Sequence, residues 1–358
     1  MPAPRHDRTL HTFDALRGLA ALSVVLYHYN ALFAPFLNSN GGLAVDLFFM
    51  MSGVVLARNY EPRFQAGMTS LQFMKIRLIR LYPLYLLGLA IGALAAIGSL
   101  FGHDALGWTP RVLAEAIGLA LFVLPASSPQ GQLFPLDVPA WSLFFELLVN
   151  FAFVALWPWL TTRRLASACL ILVPALAAIA FCRGDIDAGW LFSTLWIGAI
   201  RALFGFSLGI VIARWTSSGA PSPSAAKFLI LFALVGLALF VRPEVVGRPL
   251  WSLGWVVLLF PAIVYAAVRV DPPKWLVPLA SLAGVASYAI YVTHYPLLQL
   301  SVSLIGRLSG GSLAAFGPLE GCGLIAAFAI AAWALDGWYD APVRRRLRAL
   351  DAAGATSP

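Results

Sequence analysis

Charge is scarce in this 358-residue chain: Asp, Glu, Lys and Arg make up 11% of it, less than half the roughly 25% of a soluble domain. With 60% hydrophobic residues and a mean hydropathy of +0.83, the composition excludes an ordinary soluble globule and sets a polytopic membrane protein. Such a chain buries its apolar surface against lipid and neighbouring helices, so its stability rests on packing and satisfied polar groups. Cysteine is also nearly missing. Cys169, Cys182 and Cys322 are scattered without ligand or disulfide spacing, which leaves them as core or lipid-facing residues. There is no phosphate-binding loop, HExxH zinc site or GxSxG nucleophile elbow, and no metal is expected. No internal repeat appears, no cleavable signal peptide is expected before the first apolar run, and SSGAPSPS at 217–224 reads as a short connector.

Basic residues are in surplus, with a net charge of +8 and a pI near 9.7. No basic, aromatic-interleaved soluble segment is present to bind nucleic acid, so loop topology explains the charge better. The apolar runs predict an all-α bundle of ten transmembrane helices, over 12–36, 42–60, 81–101, 142–160, 165–182, 189–213, 228–241, 249–268, 278–304 and 316–335. The run at 112–124 is shorter than the roughly 17 residues a crossing requires, and suits a re-entrant or interfacial segment. With the N-terminus cytoplasmic, 18 of the 24 lysines and arginines fall on inner segments and five, Arg111, Arg183, Arg242, Arg248 and Arg307, on outer ones, with Arg201 inside a span. The bias places both termini in the cytoplasm of a cell whose inner membrane holds the protein. One membrane domain, 1–348, and a short polar tail, 349–358, account for the chain.

Against this apolar background a few polar residues stand out, because such groups within a membrane face the protein interior or a wet cavity. Arg17 and His28 lie on one run, TFDALRGLAALSVVLYHY, eleven residues apart. At about 100° per residue they share a helix face, separated by about 16 Å of rise. Imidazole titrates near neutrality and suits a general base, although a packing histidine satisfied by a neighbour is the simpler role. The second run, LAVDLFFMMSGVVLARNY, holds Asp46 and, seven residues on, Gly53, on whose side a neighbouring helix can come close. Asp46 is a candidate to orient His28 or the acceptor, or to pair with a buried arginine. In FMKIRLIRLYPLY, Arg77 and Arg80 are neighbours on one face, suited either to phosphate recognition or to anchoring at lipid headgroups. DVPAWSLFFELLVNF sets Ser142 and Glu146 four residues apart, with Glu146 deep enough to require a partner, and Trp141 as an interfacial anchor or a platform for a sugar ring.

Taken together, FDALRGLAALSVVLYH, GGLAVDLFFMMSG, RLIRLYP, WSLFFE and SYAIYVTHYP, in that order across nearly the whole chain, resemble the acyltransferase 3 family of integral membrane proteins. Two departures, MMSGVVL without a phenylalanine after Ser52-Gly53 and threonine in YVTHYP where leucine is usual, read as packing changes. The resemblance implies transfer of an acyl group, commonly acetyl, from cytoplasmic acyl-CoA to a carbohydrate hydroxyl. It makes His28 the essential histidine, paired with Arg17, and assigns the CoA donor to Arg77 and Arg80. It matches Asp46 and Ser52 to the second-span motif, Trp141, Ser142 and Glu146 to the WSLxxE motif, and His294 to a histidine near the end of the bundle. Asp46 or Glu146 is then expected to hold the His28 tautomer and position the sugar, with Arg17 stabilising negative charge or holding the donor. An acyl-histidine intermediate stays open. The rival from another class is a secondary transporter or flippase, against which the missing inverted repeat counts.

Overall fold

Long apolar runs satisfy their backbone in lipid only by coiling, and this chain does so almost throughout. The computed structural model describes residues 9–33, 37, 39–102, 107–128, 130–216, 221–243, 247–309 and 316–355. Its helices are α1 (His11–His28), α2 (Asn30–Phe33), α3 (Gly41–Gln65), α4 (Ser70–Gly102), α5 (Pro110–Ala120), α6 (Ala140–Leu156), α7 (Thr162–Arg183), α8 (Leu195–Trp215), α9 (Ala225–Phe240), α10 (Arg248–Leu253), α11 (Phe260–Ala267), α12 (Val277–Ser309), α13 (Pro318–Leu335) and α14 (Ala341–Ala355). Wide π-type turns at Gly254–Leu259 and Asp336–Asp340 join α10 to α11 and α13 to α14. Each lies just ahead of a proline, Pro261 or Pro342, whose ring cannot fit the regular i→i−4 ladder.

Eight helical stretches are long and apolar enough to cross a membrane, and α1 and the 16-residue α9 occupy the places of the other two expected spans. Helix α5, eleven residues long, rises only about 16 Å and cannot cross. Large apolar side chains such as Ile171, Leu319 and Trp338 are exposed on the outside of the bundle, where lipid covers them.

Several boundaries differ from the sequence reading. The first run is not one helix to residue 36: α1 stops at His28 and a single turn, α2, follows Tyr29. Asn30, a weak helix former, follows the break at Tyr29, so His28 ends its helix rather than sitting inside it. Helix α4 begins eleven residues before the apolar run, because FMKIRLIR coils as one piece with it and puts Arg77 and Arg80 on the spanning helix itself. The stretch after Arg348 continues α14 as far as Ala355, tied to α4 by a 2.8 Å salt bridge from Lys75 to Asp351.

Packing centres on α1, α3, α4, α8 and α12: α1 lies between α12 and α3, α3 crosses α8, and α4 lies along α12. Gly53 sits where α3 meets α8, and a Cβ there would run into the backbone carbonyl of Phe206; the absent side chain is what lets the two helices touch. One end of the bundle is closed by Thr12 Oγ1 donating to Val270 O (2.6 Å), by the pairing of Ser222–Pro223 with Val270–Asp271, and by Arg214 on Glu61 (2.8 Å) and Leu160 O (2.8 Å). We call it the basic end. At the opposite end Asn40 Nδ2 donates to Val241 O (2.7 Å) and Leu133 N to Trp190 O (2.8 Å).

Candidate active site

Two cavities open into the bundle at different depths, and both use α1. The first, of about 870 Å³ including its mouth, is lined by Arg17, Ser52, Arg77, Arg80, Ser142, Glu146, Tyr288 and Tyr291 with apolar residues of α3 and α4. The second, of about 700 Å³, is lined by Tyr27, His28, Gln132, Trp141, Asp187, Trp190, Tyr291 and Tyr295. Val45 and Tyr291 line both, so they form the partition between them.

Helix periodicity places Arg17 and His28 on one face of α1, and the structure gives each residue its own cavity on that face. In the arginine cavity, Arg77 is buried and pairs through Nη2 with Glu146 Oε1, which also accepts from Ser52 Oγ at 2.9 Å. This triad ties α4, α6 and α3 together and neutralises one positive charge. Arg17 Nη1 reaches Asp14 Oδ1 only at 3.8 Å. Arg80 is exposed and, among the described residues, has no carboxylate within salt-bridge distance. Three arginines against Glu146 in the wall leave a cavity of net positive charge, a fit for an anionic ligand.

In the histidine cavity, the hydrogen bonds select one tautomer of each ring. Buried His294 has Nδ1 against two backbone carbonyls, Tyr291 O at 2.8 Å and Ile290 O at 3.1 Å, so Nδ1 carries the proton and Nε2 is an acceptor. His28 Nδ1 lies 3.0 Å from Val24 O and 3.1 Å from His294 Nε2. Both are acceptors, so His28 Nδ1 is the donor and its Nε2 keeps a lone pair. That nitrogen takes no hydrogen bond from the protein among the described residues, and the rings of Tyr27 and Tyr295 stand edge-on to the imidazole at 5.2 Å.

The expectation that Asp46 or Glu146 faces His28 is corrected by these contacts. Both oxygens of Asp46 are taken by Arg201, Nε to Oδ1 at 3.0 Å and Nη2 to Oδ2 at 2.8 Å, and Arg201 further donates to Ala188 O (2.6 Å) and Gly42 O (2.7 Å). Removing one partner of so buried a pair costs about 3–5 kcal/mol, which makes Asp46 a holder of α3 against α8. The residue behind His28 is His294, 266 positions away. Ser142 bonds Tyr291 Oη at 2.7 Å at the partition. Trp141 is buried against Arg201, whose guanidinium stands 5.3 Å from its ring, and presents the remainder to the histidine cavity.

The sequence reading takes Arg201 only as a cation inside a span and does not single out Tyr291 or Asp187. Arg201 carried a signal, a lone cation in LWIGAIRALFGF that requires a buried carboxylate. Tyr291, three residues after Tyr288 in SYAIYVTHYP, carried none that separates it from packing aromatics. Asp187 lies in the loop after α7, where an acidic residue is unremarkable. Its Oδ2 accepts from Tyr27 Oη at 3.1 Å and its Oδ1 is 3.8 Å from Arg201 Nη1. Burial raises the carboxyl above its usual range, opposed by Arg201 and the Tyr27 hydrogen bond.

A family model described as an acyltransferase domain matches residues 10–336. Among curated relatives, BcsY of Komagataeibacter xylinus, named as a membrane-bound transacylase, is 30% identical over 355 residues, covering 87% of this chain and 83% of that protein. The exopolysaccharide production protein ExoZ of Rhizobium meliloti is 27% identical over 264 residues, 71% of this chain and 75% of its own. The O-acetyltransferase OatA of Staphylococcus aureus is 23% identical over 325 residues, 83% of this chain but 51% of that protein. No solved structure matches the chain. The family match over most of the chain, on a bundle of membrane-length helices, makes this an integral membrane protein of the acyltransferase 3 family.

Proposed function

We propose that the protein transfers an acyl group, acetyl in the first instance, from acyl-CoA to a hydroxyl of a carbohydrate, with His28 as general base. The observation that supports this most is the shared partition. A cationic cavity and a histidine cavity meet at Val45 and Tyr291, so a long thin donor anchored by its phosphates in one can deliver its thioester to the other. Arg80 and Arg17 bind the phosphates of the donor, with Arg77 fixed in place by Glu146. The basic end then faces the cytoplasm, in keeping with the positive-inside bias of the loops.

In the reaction, the acceptor hydroxyl donates its proton to His28 Nε2 as its oxygen attacks the thioester carbonyl. The tetrahedral intermediate collapses, the carbon–sulfur bond breaks, and the proton on the imidazolium goes to the departing CoA thiolate. His294 accepts from His28 Nδ1–H throughout, which keeps the basic lone pair on Nε2 and stabilises the imidazolium; it is a positioning residue. Direct transfer needs no acyl-histidine.

The relatives are in keeping with this reading: one is named an O-acetyltransferase, one a membrane-bound transacylase and one an exopolysaccharide production protein. His28→Ala, inserted and folded like the parent, is expected to lose about 10³-fold or more of the transfer of label from acetyl-CoA to glycan, the scale of a lost general base. Near-parental transfer by that variant overturns the assignment.

A further inference from the structure

The histidine cavity has a carboxylate of its own, and it bears on what the acceptor is. Besides His28, its polar walls are Tyr27, Gln132 and Asp187, and two tryptophans, Trp141 and Trp190, flank them. No lysine or arginine lines it among the described residues. Arg201 lies beneath, but its side chain is fully buried, four of its five N–H donors go to Asp46, Gly42 O and Ala188 O, and the remaining Nη1 side faces Asp187 at 3.8 Å. Arg242 stands over the Tyr27 ring, 6.0 Å from its centroid, and is not part of the wall. An anionic group entering this cavity would therefore lose its water without meeting a cation, a cost that discriminates strongly between ligands.

Asp187 is placed to do the opposite for a neutral polyol. Tyr27 holds one oxygen, while the other has only the long 3.8 Å contact to Arg201 and keeps acceptor capacity. The carboxylate is pressed against the α carbon of Gly42, at a spot where any Cβ would collide with it, so its position is set by the start of α3 as well as by Tyr27. Aromatic walls and a fixed carboxylate are the combination that a pyranose uses: apolar surface against the aromatics, adjacent hydroxyls on the acid.

On the reading that this is the acceptor site, we infer that Asp187 is a specificity-determining residue that accepts hydrogen bonds from the acceptor sugar and restricts the site to neutral hexose units, excluding uronic acids. The test is titration of purified protein in detergent micelles with neutral hexose oligosaccharides and with their C6-oxidised, uronate counterparts of the same linkage and length. The neutral set is expected to bind at least tenfold tighter. Asp187→Asn is expected to weaken neutral binding about tenfold and shrink the preference to under threefold, with acetyl-CoA affinity unchanged. Tyr27→Phe, which keeps the Asp187–Arg201 contact, is expected to move both in the same direction by less, and it carries the test if Asp187→Asn does not fold. Equal or tighter binding of uronates by the parent, no binding of the neutral set, or a preference unmoved in the folded variants overturns the inference. If the neutral preference holds while no acetyl group is ever transferred, the acyltransfer reading fails and this one stands.

Discussion

The two cavities differ in the one property that a bilayer makes expensive. The arginine cavity gathers three guanidinium groups at the depth of α1's first turns and the front of α4, and neutralises one of them with Glu146. The histidine cavity carries aromatic walls, a single carboxylate and a base with its lone pair free. On the proposed reading, one takes an anion and the other a neutral polyhydroxylic molecule. Their contact at Val45 and Tyr291 means that neither substrate has to leave its own electrostatic surroundings for the reacting atoms to meet. The same comparison explains the spacing on α1, where one helix face serves both compartments about 16 Å apart.

The sharpest way to break the comparison is to close the partition. Val45→Trp is expected to leave acyl-CoA binding within about twofold while acyl transfer falls 100-fold or more, measured by donor titration and labelled transfer on the same preparation. Equal loss of donor binding would mean that the substitution fills the arginine cavity, which Val45 also lines, rather than closing the passage between the two. Removing the support behind the base comes next. His294→Ala is expected to lower kcat about 10–100-fold at constant KM for both substrates, and to shift the limb of the pH–rate profile that reports the base; a KM effect with an unmoved profile would make His294 a substrate ligand. The mildest change is Arg80→Ala, expected to raise the donor KM about tenfold with the acceptor KM unchanged, since Arg80 holds no ion pair among the described residues. Arg77→Ala is less clean, because it also strands Glu146.

Much of this arrangement was legible in the linear chain. Apolar length located the eight helices long enough to cross a membrane, together with α1 and the shorter α9, and set α5 apart as too short, and the 3.6-residue period put Arg17 with His28 and Ser142 with Glu146 on shared faces. The scarcity of charge made each intramembrane polar residue a candidate, and Arg17, Ser52, Arg77, Arg80, Ser142 and Glu146 do converge. What the sequence withheld was partnership. Asp46 finds Arg201 at a separation of 155 residues and His28 finds His294 at 266, and no local pattern encodes which carboxylate meets which cation. Asp46 therefore read either as a candidate to orient the histidine or as the partner of an unnamed buried arginine, and the second is what holds α3 against α8. The end of α1 at His28 was hidden for a different reason: the hydrophobic run continues past it, and only Asn30 hints at the break.

The central claim is that donor and acceptor approach from opposite ends of the bundle. It is tested most directly in proteoliposomes of one orientation, with the basic end outward, labelled acetyl-CoA outside and a neutral hexose oligosaccharide sealed inside. The account predicts label on the enclosed oligosaccharide, dependent on His28, with acetyl-CoA itself remaining outside. Label only on acceptor supplied on the same side as acetyl-CoA, or movement of the oligosaccharide across the membrane without acetyl-CoA, would contradict it.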